Sequence, residues 1–215
     1  MPKIKICGLF RSKDIDYINT QRPDYIGFVF APSRRQVDEK TAYKLRKKLI
    51  SGIVPVGVFV NGGIEQISKL YKQGVIEYAQ LHGNENADYI ARLKSACPQI
   101  KLIKAVVVKS GENIERAQAL DVEYLLLDSG KGSGKAFDWN VLAPLASGSR
   151  GSRISDTHKP YFLAGGIHLE NISRALALNP YGVDVSSGAE TDGVKDGKKI
   201  AQLVRIAHEH GGKPT

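Results

Sequence analysis

Lys3-Ile4-Lys5-Ile6-Cys7-Gly8 alternates polar and apolar residues and then stops at a cysteine and a glycine. Alternation is the period of a β-strand, and a glycine just after it lets the chain turn sharply. Cys7 therefore stands at the C-terminal lip of a first strand. A thiol there reads in two ways. It is a small buried hydrophobe, or it is a base or nucleophile if its surroundings make it thiolate, since a free cysteine titrates near ~8.5.

Further runs of the same character follow along the chain: Tyr25–Phe30, Val54–Val60, Tyr78–Leu81, Leu102–Val108, Tyr124–Leu127, Tyr161–Ala164 and Gly182–Val185. Several are unbroken stretches of Val, Ile, Leu and Phe, as in parallel strands covered on both faces. Between them lie stripes at helical spacing. Asp38 caps a segment carrying Ala42, Leu45 and Leu49, Asn86 one carrying Ala87, Ile90 and Leu93, and Asp196 one carrying Ile200, Leu203, Val204 and Ala207. Ile64, Ile67, Leu70 and Tyr71 form another stripe, as do Leu169, Ile172, Ala175 and Leu176. The segments after Gly8, Gly111 and Asp138 are weaker but compatible with helix. Strand alternating with helix eight times predicts a single (β/α)8 barrel, an α/β fold, over residues 1–215. An open doubly wound sheet, which normally has fewer strands, is the alternative. A polar insert, Ser147–Lys159, is predicted to lie on the face away from the βα loops.

A chain of 215 residues can bury a sizeable core. Met1-Pro2-Lys3 leads straight into the first strand without the pattern of a secretory leader, and no apolar run approaches the ~18 residues of a membrane span. Two cysteines, Cys7 and Cys97, far apart, fit a reducing cytoplasmic setting better than a disulfide framework. Cys97, in Ala96-Cys97-Pro98, reads as structural at a helix end. The net charge of +9 fits a solvated basic surface or the steering of an anionic partner. Zinc-finger spacing, an aromatic RNA-binding signature and a long basic run are all missing, so a small anionic metabolite is expected, not nucleic acid or a membrane. Composition allows a monomer or a homodimer.

The working loops of such a barrel follow the strands. They carry Cys7, then Pro32-Ser33-Arg34-Arg35, His82-Gly83, Asp128 with the glycine-rich Ser129–Lys135, Gly165-Gly166, and Ser186-Ser187-Gly188. Gly165-Gly166 and Ser187-Gly188 each read as opening a helix, where backbone N–H groups bind phosphate and glycine allows close approach. The loops after strands seven and eight are a recurrent phosphate site in this fold, although tight turns alone would also use glycine there. Gly132 and Gly134 belong to a loop expected to close over the same ligand. Asp128 can cap a helix or move a proton. Asp184 reads as holding loops by hydrogen bonds. Either Arg34 or Arg35 can pair with a carboxylate. His82 is a ligand-facing donor or a satisfied hydrogen-bonding residue. No metal-ligand cluster, Gly-x-Ser-x-Gly elbow or dinucleotide fingerprint is visible, so no metal or cofactor is expected. Proton-transfer chemistry on a phosphorylated small molecule fits best, with Cys7 and Asp128 as candidate base and acid.

Lys5-Ile-Cys-Gly8, Gly27-Phe-Val-Phe30 with Pro32-Ser-Arg-Arg35, Val56-Gly-Val-Phe-Val-Asn61, Gln80-Leu-His-Gly83, Leu127-Asp128 with Gly132-Ser-Gly-Lys135 and Phe137-Asp-Trp139, Leu163-Ala-Gly-Gly166 and Val183-Asp-Val-Ser-Ser-Gly188 occur together and in order. This set resembles the phosphoribosylanthranilate isomerase family of tryptophan biosynthesis across nearly the whole chain. The resemblance implies an Amadori rearrangement, with Asp128 as general acid and Cys7, as thiolate, as base. It further implies that Arg35 holds the anthranilate carboxylate and that the Gly165-Gly166 and Ser187-Gly188 loops hold the phosphate. Related histidine-pathway isomerases resemble this plan but have aspartate where Cys7 stands. The chain departs from the pattern in the short loop between Asp128 and Gly132, in Gln36 after Arg35, and in the polar insert.

Overall fold

The computed structural model of the protein describes residues 1–108, 111–128 and 159–210. Eight parallel strands, β1 (Lys3–Cys7), β2 (Tyr25–Val29), β3 (Val54–Phe59), β4 (Tyr78–Leu81), β5 (Lys101–Val107), β6 (Tyr124–Asp128), β7 (Tyr161–Leu163) and β8 (Gly182–Val185), close in chain order. The seam is made by β8 on β1, where Lys5 lies beside Asp184. The alternative open sheet is thereby excluded. Helices α1 (Ser12–Gln21), α2 (Glu39–Lys48), α3 (Ile64–Lys72), α4 (Ala87–Ala96) and α5 (Gly111–Gln118) follow β1 to β5 in turn, α6 (Ile172–Leu176) follows β7, and α7 (Gly197–Glu209) comes after β8. Asp38, Asn86 and Asp196 accept the first-turn N–H groups of α2, α4 and α7, as their residue types predict.

Strand parity divides the core in two. Ile4, Ile6, Ile26, Phe28, Leu125, Leu127, Val183 and Val185 point outward into the layer beneath the helices. Tyr25, Val56, Tyr78, Ile103, Leu126 and Phe162 point inward and fill the barrel. Each such side chain contributes roughly 1.5–3 kcal/mol when fully buried. The N-terminal end of the barrel is plugged by rings. Tyr25 meets Phe162 edge-on at 5.3 Å between centroids, and its hydroxyl lies 2.8 Å from that of Tyr181. With that end filled, inward-facing polar groups gather at the other mouth.

Three features differ from the sequence reading. The turn begun by Gly165-Gly166 does not open directly into a helix; α6 starts at Ile172. Both glycines have positive φ, and Asn171 ties the loop back by donating to the Gly166 carbonyl and accepting from the His168 N–H. After the 3-10 turn Ser187–Ala189, a small hairpin of β9 (Glu190–Thr191) and β10 (Val194–Lys195) precedes α7. Asp184 pairs with Lys5 inside the barrel instead of holding loops. The expected helix after Asp138, the Ser147–His158 part of the polar insert, and Gly132 and Gly134 lie outside the described residues.

Candidate active site

Cys7 ends β1 on the inward face and is buried. Its register partner is Gly27, and the reason for a glycine is local: a Cβ at Gly27 would lie 2.6 Å from the Cys7 sulfur. Gly8, with φ of 83°, turns the chain out of the strand, and the stem of Arg35 crosses over it. The cysteine is thus framed by two glycines and an arginine.

Two residues below Cys7, on the same face, the Lys5 side chain is fully buried and its ammonium lies 2.8 Å from Asp184. Its charge also acts on the cysteine. Burial by itself would lower Lys5, but Asp184 and Cys7 together hold the ammonium above its ordinary value. Burial pushes the Cys7 thiol up, against the pull of Lys5; Asp184 adds to the rise and Lys195 opposes it. The thiol is therefore a reluctant thiolate that depends on two buried lysines.

Residue type makes Arg34 and Arg35 equals, and exposure separates them. The Arg34 side chain is 58% exposed and that of Arg35 only 19%. Both contact Glu190, which the sequence reading missed. Arg35 meets it side-on, Nε to Oε1 at 2.6 Å and Nη2 to Oε2 at 2.8 Å, and Arg34 adds a contact of 2.8 Å. Lys195, also missed, donates to Glu190 Oε1 at 2.6 Å and to the Ser186 carbonyl at 2.9 Å. Burial alone would raise the Glu190 carboxyl, but Arg35 and Lys195 hold it below the ordinary range. Gln36, the departure beside Arg35, continues the loop by a bridge to Val29.

Across the mouth, Asp128 ends β6 and His82 follows β4. Their side chains approach to 3.6 Å between His82 Nε2 and Asp128 Oδ2. Gln80, inward and buried, places its amide nitrogen 2.9 Å from His82 Nδ1. Burial holds the imidazole below its ordinary value, against the pull of Asp128, so it is neutral near pH 7. Glu85 and Lys104, paired at 2.9 Å, bind the backbone at Gly83 and fix the turn beyond His82.

The loops after β7 and β8 interlock. A Cβ at Gly188 would fall 2.0 Å from the Ile167 carbonyl oxygen and 2.8 Å from His168 Cα. The Gly165-Gly166 turn and the Ser187–Ala189 turn therefore form one surface of backbone, the kind that binds phosphate. Ser186 joins it to the end of β1, its hydroxyl donating to the Cys7 carbonyl at 3.3 Å.

Residues 4–206 match the family model of N-(5'-phosphoribosyl)anthranilate isomerase. The chain belongs to the phosphoribosylanthranilate isomerase family. A family member from Acetivibrio thermocellus is 42% identical, the match covering 99% of this chain and 98% of that one. A phosphoribosylanthranilate isomerase structure, solved in complex with reduced 1-(o-carboxyphenylamino)-1-deoxyribulose 5-phosphate, superposes with a TM-score of 0.80 at 30% identity, covering 97% of this chain and 99% of that one. A structure of monomers of the dimeric phosphoribosylanthranilate isomerase from Thermotoga maritima gives 0.81 at 31% identity, with the same coverage. Membership in this isomerase family accords with the (β/α)8 barrel and with the expected enzyme class. No helix among the described residues is long and apolar enough to cross a membrane.

Proposed function

We propose that this barrel mouth converts N-(5'-phosphoribosyl)anthranilate to 1-(2-carboxyphenylamino)-1-deoxy-D-ribulose 5-phosphate in tryptophan biosynthesis, with Asp128 as acid and Cys7 as base. The observation that carries the reading is the placement of these two residues. Both end barrel strands at the C-terminal mouth, in a chain matched to the isomerase family almost end to end.

Asp128 gives a proton to the ribose ring oxygen as the C1'–O bond breaks, leaving an iminium between C1' and the anthranilate nitrogen. The positive charge acidifies C2'–H, and the Cys7 thiolate removes that proton. The enolamine then tautomerises to the ketone, so no proton or electron is gained or lost overall. Each positioned proton-transfer group typically contributes ~10²–10⁴ in rate. Lys5 and Lys195 oppose the burial that disfavours the thiolate. His82, neutral, is assigned to the substrate and to orienting Asp128.

Arg35 is assigned to the anthranilate carboxylate. The side-on contact with Glu190 uses its Nε and Nη2 and leaves the Nη1 end for that role. Gly165, Gly166, Ser187 and Gly188 take the phosphate, and Gly132 and Gly134 belong to the loop that closes over it. Residues 1–215 act as one catalytic domain, cytoplasmic, as a monomer or homodimer. The partner is a small phosphorylated substrate, not nucleic acid or membrane, and the scheme runs on side chains alone without cofactor. The test is the fluorescence decay of enzymatically generated phosphoribosylanthranilate. Purified protein should accelerate it, and an unchanged decay would reject the assignment.

A further inference from the structure

Glu190 is a buried carboxylate near the mouth. Its side chain is 3% exposed and accepts from three cations, Arg34, Arg35 and Lys195. The hairpin that carries it turns on Asp192 and Gly193, both with positive φ, the geometry of a two-residue hairpin turn that an Asp-Gly pair favours. That turn sets Glu190 opposite Lys195 in register. Lys195 reaches on to the carbonyl of Ser186, and Ser186 reaches the carbonyl of Cys7. One buried carboxylate thus links the loop after β2, the loop after β8 and the end of β1.

Resting on the assignment of Arg35 to the anthranilate carboxylate, we propose that Glu190 is a positioning residue that aims Arg35 at the substrate and sets the field at Cys7. Its bidentate contact takes the Nε edge of the guanidinium, so the ring-carboxylate of the substrate meets the Nη1 end in a fixed orientation. Four charged groups act on the sulfur, Lys5, Asp184, Lys195 and Arg35, and Glu190 holds two of them, Arg35 and Lys195. Glu190 is the counter-charge for Arg35 and Lys195. Neutralising it leaves the Arg35 guanidinium beside the thiol without its counter-charge, and Lys195, already lowered by burial, without its partner.

The variants Glu190→Gln and Glu190→Asp test this in the full chain. Two probes are used, reduced 1-(o-carboxyphenylamino)-1-deoxyribulose 5-phosphate and ribose 5-phosphate, which lacks the aromatic carboxylate. Glu190→Gln should weaken the first by about tenfold or more, as expected when a charge-assisted hydrogen bond loses its geometry, and the second by no more than about threefold. Alkylation of Cys7 by iodoacetamide should move to lower pH. Glu190→Asp keeps the charge and shortens the reach, so it should lose carboxylate preference while the alkylation profile stays. A purely structural role would weaken both probes alike, and that result would overturn the proposal. If Glu190→Gln does not fold, wild-type carboxylate preference in Glu190→Asp overturns it. Arg35→Ala separates the two failures. If it loses the preference while Glu190→Gln keeps it, only the role of Glu190 falls. If Arg35→Ala keeps the preference, the assignment of Arg35 itself is wrong.

Discussion

The sulfur of Cys7 rests against the bare Cα of Gly27, where a single added methyl would come within 2.6 Å of it. The two residues are register partners on β1 and β2. Gly27 does not have a positive φ, so alanine there strains no backbone and acts only through the contact. Gly27→Ala should displace the thiol, lowering kcat by about tenfold or more with a smaller change in KM, because positioning of a proton-transfer group is worth ~10²–10⁴. The overpacking should cost about 1–3 kcal/mol in urea unfolding. Wild-type kcat in a folded variant would show that the sulfur's position does not matter.

Because burial raises the Cys7 thiol, alkylation of the ligand-free enzyme should have its midpoint above the ~8.5 of an ordinary cysteine. The buried Lys5 ammonium favours the thiolate, so Lys5→Met should move that midpoint further up. Iodoacetamide rates across pH, with modification mapped to Cys7 by mass spectrometry, give both values. A midpoint below the ordinary one, or a downward shift in Lys5→Met, contradicts this electrostatic picture.

Gly188→Ala inserts a Cβ against the Ile167 carbonyl and prises apart the loops after β7 and β8. Affinity for inorganic phosphate and for the phosphorylated product analogue should fall together, by about tenfold, while the pH dependence of Cys7 alkylation stays. Equilibrium binding checks this. Unchanged phosphate affinity would move the anion site elsewhere.

At the opposite end, Asp24 accepts from Lys3, His208 and the Ile4 N–H, tying β1 and α7 to the start of β2. Burial alone would raise its carboxyl, but hydrogen bonds from Lys3 and His208 hold it below the ordinary range. A lowered folded value means that the unfolded chain binds more protons in acid. The stabilisation is whole above the unfolded value of ~3.9 and is lost as pH falls through the folded one. Urea unfolding between pH 6 and 3 should show a steeper acid loss in wild type than in Asp24→Asn. Parallel curves would remove Asp24 as a source of acid sensitivity.

The barrel was legible because strands covered on both faces and helices striped on one leave unmistakable periods, and the end of β1 at Cys7 followed from a single alternation. Lys5 was also open to reading, since it shares the inward parity of Cys7, as Gln80 shares that of His82. Its role was hidden because its partner Asp184 lies across the barrel seam, far off in sequence. Glu190 and Lys195 sit on strands of two residues, too short for any periodicity, although Asp192-Gly193 between them signals a hairpin. The choice between Arg34 and Arg35 could not be made from residue type, because only burial tells them apart.

The central claim is that Cys7 and Asp128 move protons and do not merely bind. Turnover of phosphoribosylanthranilate by Cys7→Ala and by Asp128→Asn, measured beside their affinity for the reduced product analogue, tests it most directly. The expected result is a loss of at least about 10² in kcat for each variant with affinity held within a few fold. Near-wild-type turnover in either variant, or a loss of rate matched by an equal loss of affinity, would contradict the account.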